Sequence, residues 1–182
     1  GEWGSFSDEF KLNLVARATE IVGDRLELLV GINATSLPLS LQLMRSYEQF
    51  SFDSFVFMLP ARTSALNPVK SILNILDSAD RPVYYYHCPP NNDHNLSLEQ
   101  FAEIMKHPNL RGIKNSASNM WLRRELLLLR EDIGSKCLLL EGQEWACDEA
   151  LIAGNDGVLC GIGALASKIL VKIARAVDKG EI

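Results

Sequence analysis

Hydrophobic positions along the chain alternate between two spacings, and this alternation predicts the fold class. Short runs rich in Val, Ile, Leu and Tyr, typical of buried strands, are separated by amphipathic stretches of helical length. The runs predict six strands, at residues 27–31, 54–59, 83–88, 110–114, 136–140 and 157–161. The amphipathic stretches predict seven helices, at residues 7–22, from 39 onward, and at 68–78, 97–106, 119–132, 146–153 and 166–178.

Strict alternation of strand and helix, with short connections, is typical of βαβ units that build a parallel sheet. Composition does not change along the chain, so we expect one domain over residues 1–182. Evenly spaced units of about 25 to 30 residues favour a (β/α)₈ TIM barrel over a doubly wound sheet. A complete barrel takes about 250 residues. We therefore expect a barrel incomplete at its N-terminus, lacking the first two strands and the C-terminal extension.

The charge balance limits the classes of partner that the protein is expected to bind. Lys and Arg number 18 against 23 Asp and Glu, giving a net charge of −5 without a basic run, which argues against nucleic acid and against an anionic membrane surface. The apolar runs are much shorter than the roughly 20 residues of a membrane span. Residues 1–20 contain no apolar stretch of the secretory-signal type. We therefore expect a cytoplasmic protein.

Neither the cysteines nor the histidines form a metal-binding pattern. The four cysteines lie in apolar segments without a C-x-x-C pair, so we expect buried free thiols, with a metal site or a disulfide framework as the alternative. They are Cys88, Cys137, Cys147 and Cys160. The three histidines show no i,i+4 pair, and we expect structural or exposed roles and no metal site. They are His87, His94 and His107.

Catalytic groups of a parallel barrel lie where the carboxyl ends of the strands meet their loops. The residues at these positions are Asn33, Thr35, Arg62, Tyr86, His87, Lys114, Asn115, Gly142, Gln143, Glu144, Gly161 and Gly163. Side chains alternate along a strand, so Tyr86 and Lys114 can both point inward. A lysine desolvated at an apolar barrel mouth has a lowered pKa and can attack a carbonyl, and Tyr86 could move the proton. The alternative is a lysine that reaches from the strand end into solvent.

The order and spacing of three segments resemble the pattern of one enzyme family. They are Gly112-Ile113-Lys114 followed by Asn115-Ser116, the sequence PVYYYHCP at 82–89, and Leu140-Glu141-Gly142 followed by GNDGVL at 154–159. Together they resemble the dihydrodipicolinate synthase and N-acetylneuraminate lyase family of class I aldolases, and the resemblance covers essentially the whole chain.

The resemblance implies a TIM barrel that forms a Schiff base with pyruvate or another 2-oxo acid and joins it to, or cleaves it from, an aldehyde partner. The imine-forming lysine would be Lys114. The general acid/base would be Tyr86, with His87 where the family has asparagine. Substrate-binding positions would be Gly142, Glu144, Leu159 and Gly161. No cofactor is expected, because the protonated imine is the electron sink, and the family implies a homotetramer or homodimer.

The chain also departs from the family pattern. Gly1-Glu2 is similar to the end of the family's G-[ST]-[ST]-G-E loop, whose carboxylate-binding hydroxyl pair would precede Gly1. The second tyrosine of the synthases is replaced, since residues 60–63 read Pro-Ala-Arg-Thr, and no arginine follows at 90–94. Sialic acid lyase fits no better, because its acidic pair would be Glu144-Trp145 and its eighth-strand hydroxyl Gly161. The resemblance thus implies an acceptor pocket unlike either.

Other interpretations stay open. Residues 161–166 fit a loose G-x-G-x-x-A dinucleotide fingerprint, but no acidic residue ends a following strand. Glycines at a helix N-terminus also suit a phosphate-binding TIM-barrel enzyme. A catalytically inactive family member that binds a small ligand is a further alternative, because of the missing tyrosine and His87. Glu144 and Trp145 could line the pocket, or could cap a helix and pack in the core.

Overall fold

The computed structural model describes residues 3–62 and 67–181, and its centre is one parallel sheet. The strands are β1 (Leu29–Gly31), β2 (Ser54–Phe57), β3 (Val83–His87), β4 (Leu110–Asn115), β5 (Leu138–Glu141) and β6 (Gly157–Val158). Their order in the sheet is their order in the sequence, and every neighbouring pair is parallel. The predicted α/β fold with a parallel sheet is confirmed. The expectations at Gly1-Glu2 and Thr63 lie outside the described residues.

The helices lie between the strands as the alternation predicts. They are α1 (Asp8–Val22), α2 (Leu37–Tyr47), α3 (Pro68–Ser78), α4 (Pro89–Asn92), α5 (Leu98–Met105), α6 (Met120–Asp132), α7 (Cys147–Ile152) and α8 (Gly163–Asp178). The short α4 is not among the predicted helices. Its first two residues are prolines, and a proline in the first turn loses no helical hydrogen bond, so the pair that ends β3 also starts a helix.

Side-chain oxygens at the helix starts explain where the longer helices begin. Each accepts a hydrogen bond from the backbone N–H three residues on, which satisfies one of the first-turn donors. These residues are Ser7, Ser36, Asn67, Ser97 and Asn119. Ser97 also forms the predicted capping box with Gln100. The sequence therefore sets the points at which the chain turns from strand ends into helices.

The main core lies between the helices and one face of the sheet. Tyr85 on β3 and Ile113 on β4 are fully buried there, together with Phe101 of α5. Alternation directs Tyr84 and Gly112 to the opposite face. A Cβ at Gly112 would lie 2.6 Å from the Tyr84 ring and 2.8 Å from the Leu138 carbonyl oxygen. Glycine is therefore required where the Tyr84 ring crosses β4.

In the described part of the chain, β1 and β6 are the open edges of the sheet. The helices beside these edges expose large apolar side chains, among them Leu14 on α1 and Leu165 and Ile169 on α8. Closing this sheet into a barrel would require further strands between β1 and β6. Among the residues described, no helix is both long and apolar enough to span a membrane.

Candidate active site

Tyr86 and Lys114 lie side by side at the carboxyl ends of β3 and β4. The register of the two parallel strands pairs them directly. Lys114 Nζ lies 3.9 Å from the centroid of the Tyr86 ring, within the range in which an ammonium is attracted to an aromatic face. The structure thus brings together the two residues for which the sequence predicts catalytic roles.

The surroundings of Lys114 make its ammonium group lose a proton more readily than that of an exposed lysine. The side chain is half-buried, and burial lowers the pKa of Lys114 because the ammonium loses hydration. The Glu144 carboxylate acts in the opposite direction but does not cancel the effect of burial. A larger fraction of neutral amine is therefore present at a given pH than on an exposed lysine.

The surroundings of Tyr86 keep its phenol protonated. Burial raises the pKa of Tyr86 to about 12, and the neighbouring Ser116 hydroxyl offsets part of the rise. Ser116 Oγ is itself buried and has no hydrogen-bond partner of normal geometry among the described residues. A hydroxyl in this condition is free to accept or donate a hydrogen bond when Tyr86 changes its protonation state.

Gly142, predicted to bind substrate, lies directly behind the lysine side chain. A Cβ on this residue would lie 2.0 Å from Ser116 Oγ and 2.9 Å from Lys114 Cε. Its backbone N–H donates to the Asn115 carbonyl at 2.9 Å, which continues the pairing of β4 with β5. The absence of a side chain at Gly142 therefore makes room for both Lys114 and Ser116.

Glu144 joins the loops that follow β5 and β6. Its Oε1 accepts from the Ile162 backbone N–H at 2.9 Å, and a Cβ on Gly161 would lie 3.0 Å from the same oxygen. Hydrogen bonds from its own backbone N–H and from that of Ile162 lower the pKa of Glu144, so the carboxylate is charged at neutral pH. The interpretation that Trp145 packs in the core is wrong, because this residue is 66% exposed.

The remaining predicted substrate residues follow β6. Leu159 is half-buried, and its N–H donates to the Glu141 carbonyl at 2.8 Å, so parallel pairing continues beyond Val158. Gly161 is exposed in the next turn. All four predicted positions thus lie on two adjoining loops at the strand ends where Lys114 lies.

A buried ion pair below these loops was missed in the sequence. Arg123 Nε on α6 donates to Glu141 Oε2 at 2.7 Å, and the two side chains are 4% and 2% exposed. Glu141 Oε1 accepts from the Gln143 backbone N–H at 2.8 Å. Gln143 Nε2 in turn donates to the Ser116 carbonyl at 3.2 Å. Arg123 and Leu126 are three positions apart and share the buried side of α6. This spacing is the sequence signal that could have predicted that Arg123 faces inward.

Other strand-end candidates have local structural partners. Asn33 Oδ1 accepts from the Met58 N–H at 2.7 Å, and Asn115 Oδ1 accepts from the Ala117 N–H at 3.1 Å. Thr35 and Arg62 are exposed, and Gly163 begins α8.

Each histidine has a partner of its own among the described residues. His87 is buried on the helical face of β3, edge-on to Phe101 with ring centroids 5.0 Å apart, and burial lowers the pKa of His87 to about 4. His94 Nε2 lies 3.1 Å from the Pro60 carbonyl oxygen, and His107 Nε2 lies 3.0 Å from Asp77. The part of the chain that the structure describes holds no cluster of three or more His, Cys, Asp or Glu suited to a metal ion.

The cysteines are free, as predicted, but they are not all buried. Cys88, Cys137 and Cys147 are buried, whereas Cys160 is only half-buried, so the prediction is wrong for Cys160. The reason is that β6 ends at Val158, earlier than predicted, and Cys160 lies in a loop instead of a strand.

A model of the dihydrodipicolinate synthetase family matches residues 1–182. The chain belongs to this family. A curated relative, 4-hydroxy-tetrahydrodipicolinate synthase of Methanosphaerula palustris, is 23% identical over 183 residues, covering 100% of this chain and 62% of the relative. The chain thus spans about 62% of the length of that relative.

Solved structures share the fold. Dihydrodipicolinate synthase of Thermotoga maritima matches with a TM-score of 0.92 at 22% identity, over 99% of this chain and 62% of that one. YagE, a prophage protein of the dihydrodipicolinic acid synthase family from E. coli K12, was solved in complex with pyruvate. It matches with a TM-score of 0.91 at 21% identity, over 99% of this chain and 61% of that one. The six-stranded unit of this family member therefore has the fold of about three fifths of those chains.

A first prediction follows from the buried ion pair of Arg123 and Glu141. Arg123→Met should lower the free energy of unfolding by about 3 to 5 kcal/mol, because it leaves the Glu141 carboxylate buried without its partner. The double variant Arg123→Met/Glu141→Leu should recover most of this loss, because neither charge is left behind. Urea unfolding of the wild type and both variants measures the difference. Equal stability of Arg123→Met and the wild type would show that the pair is not buried.

Proposed function

We propose that the protein is a Schiff-base-forming lyase or aldolase that acts on pyruvate or a related 2-oxo acid and an aldehyde partner, in sugar-acid or amino-acid metabolism. The observation that carries the proposal is the position of Lys114 Nζ, 3.9 Å from the centroid of the Tyr86 ring at the paired ends of β3 and β4. Family membership and the pyruvate complex of YagE support the choice of a 2-oxo acid.

The proposed chemistry begins with the amine of Lys114. The neutral amine attacks C2 of the 2-oxo acid, and proton transfer from nitrogen to oxygen gives a carbinolamine. The Tyr86 hydroxyl then donates a proton to the carbinolamine oxygen, the C–O bond breaks, water leaves and a protonated imine remains. A phenol with a pKa of about 12 is protonated at neutral pH and can act as this acid.

The carbon–carbon bond is formed in the next step. The Tyr86 phenolate removes a proton from C3, and the electron pair moves into the imine to give an enamine. The enamine attacks the aldehyde carbon, and Tyr86 returns its proton to the new alkoxide. Ser116 Oγ, buried and without a partner among the described residues, can hydrogen-bond the Tyr86 phenolate that is present before the first of these transfers and again after the second. Hydrolysis of the imine frees Lys114, and cleavage follows the same steps in reverse.

The phosphate-binding alternative is less well supported. An anion at the start of α8 would need the backbone N–H groups of the loop after β6. The Ile162 N–H already donates to the Glu144 carboxylate. A protein carboxylate therefore occupies part of the position that a phosphate would take. The inactive ligand-binding alternative shares the geometry described above, and turnover of a 2-oxo acid separates it from an enzyme.

Assembly and location stay predictions. The family resemblance implies a homotetramer or homodimer, and the composition favours a cytoplasmic protein without nucleic-acid or membrane partners.

Trapping with borohydride tests the proposed function. Incubation with pyruvate and sodium borohydride should reduce the imine and leave a stable adduct on Lys114, located by mass spectrometry of a digest. Lys114→Ala should abolish the adduct. Lys136→Ala, which removes an exposed lysine just before β5, is the matched control and should label like the wild type. An adduct on other lysines only, or none at all, contradicts the proposal.

The role of Tyr86 has a test that needs no aldehyde. Exchange of the methyl protons of pyruvate with deuterated water, followed by NMR, reports imine and enamine formation. Tyr86→Phe should slow this exchange by about 10² to 10⁴, the usual scale of general acid/base catalysis. Tyr85→Phe is the control, because that side chain faces the helical core. A Tyr86→Phe protein that exchanges at the wild-type rate would leave Tyr86 as a packing residue.

The pH dependence of Lys114 provides a further prediction. An amine-reactive aryl fluoride reacts with the neutral amine alone, so its rate of reaction with Lys114 rises as pH passes through the pKa. Because burial lowers the pKa of Lys114, the midpoint should lie below the ordinary lysine value of about 10.4. Exposed Lys136 in the same digest is the internal reference. A midpoint for Lys114 at or above that of Lys136 contradicts the desolvated state.

A further inference from the structure

Two cysteines from different loops meet at the edge of the candidate site. Cys147 is the first residue of α7, after β5, and Cys160 lies between β6 and α8. Their Sγ atoms are 3.7 Å apart, although the residues are separated by 13 positions in the sequence. Neither thiol has a part in the proposed aldolase chemistry.

We propose that Cys147 and Cys160 form an oxidation site at which a peroxide produces an intramolecular disulfide. The bond would join the start of α7 to the loop after β6, which carries the predicted substrate positions Leu159 and Gly161. This modification site goes beyond the proposed function.

The geometry requires a small movement. A disulfide has an S–S distance of about 2.05 Å, so the sulfurs must approach each other by about 1.7 Å. Cys160 is half-buried and lies outside regular structure, so rotation of its side chain and a small shift of its loop can supply this movement. Cys147 is buried in the helix, and its Sγ lies 3.3 Å from the Gln143 carbonyl oxygen, which holds it in place.

The surroundings of the two cysteines also determine which of them is oxidised first. Burial raises the pKa of Cys147 to about 12, so this sulfur stays a thiol and is shielded from the oxidant. Cys160 is only half-buried and is therefore more accessible than Cys147. Peroxide therefore reaches Cys160 first.

Atoms and electrons balance over the two steps. The Cys160 sulfur attacks one peroxide oxygen, the O–O bond breaks, and a sulfenic acid and one water form. The Cys147 sulfur then attacks the Cys160 sulfur, the S–O bond breaks, and the hydroxyl leaves as a second water with the Cys147 proton. Two thiols are oxidised to one disulfide, and one peroxide is reduced to two waters.

Hydrogen peroxide treatment of the protein, followed by alkylation and a non-reducing digest, tests the site. Of the four thiols, two should be lost, a linked Cys147–Cys160 peptide should appear, and dithiothreitol should restore both thiols. Cys137→Ala is the matched control and should form the same bond, because Cys137 is buried before β5. A bond between Cys160 and Cys88, a bond between two molecules, or four unchanged thiols would overturn the proposal.

A second variant keeps the test independent of any one substitution. In Cys147→Ala the sulfenic acid at Cys160 has no neighbouring thiol with which to form a disulfide, so dimedone should label Cys160 after peroxide treatment. In the wild type the disulfide should suppress this label. Equal dimedone labelling of Cys160 in both proteins, or none in either, would contradict the two-step route. No readout uses pyruvate, so failure of the aldolase proposal would not alter these results.

Discussion

The candidate site depends on the parallel register of β3 and β4, which sets Tyr86 directly opposite Lys114. A parallel sheet places the carboxyl ends of its strands at one edge, so groups that are distant in sequence meet there. At this position Lys114 is partly removed from water, and this burial lowers its pKa. A shift of one residue in this register would turn one of the two side chains toward the helical core and separate them.

Beneath this edge, buried polar contacts fix the loops. Arg123 and Glu141 form an ion pair that is nearly excluded from solvent, and Glu141 also binds the Gln143 backbone. Such a pair contributes little net stability, because desolvation offsets the attraction, but breaking it is costly. Together with the Gln143 contacts, the pair connects α6 and the end of β5 to the loop in which Gly142 leaves room for Lys114.

Local pattern was sufficient for most of the fold. Hydrophobic spacing predicts every strand of the described sheet, and polar residues such as Ser97 and Asn119 mark helix starts. Strand ends were less predictable, as the two-residue β6 shows, because the length of a strand depends on how it pairs with its neighbour and not on its own sequence alone. The helix at Pro89 escaped prediction because a proline pair suits both a strand end and a first helical turn.

Sequence by itself determined the parallel α/β class and the family resemblance, and it pointed to Lys114 and Tyr86 as candidate reactive groups. Residue type, order and period carry that information. Tertiary structure alone decided that Ser116 Oγ is buried beside Tyr86 without a hydrogen-bond partner of normal geometry among the described residues, that Glu144 binds the Ile162 backbone and that Cys147 meets Cys160. Those contacts join loops from different βα units. The distance between two such side chains depends on how the loops pack against each other, and no local sequence pattern encodes that packing.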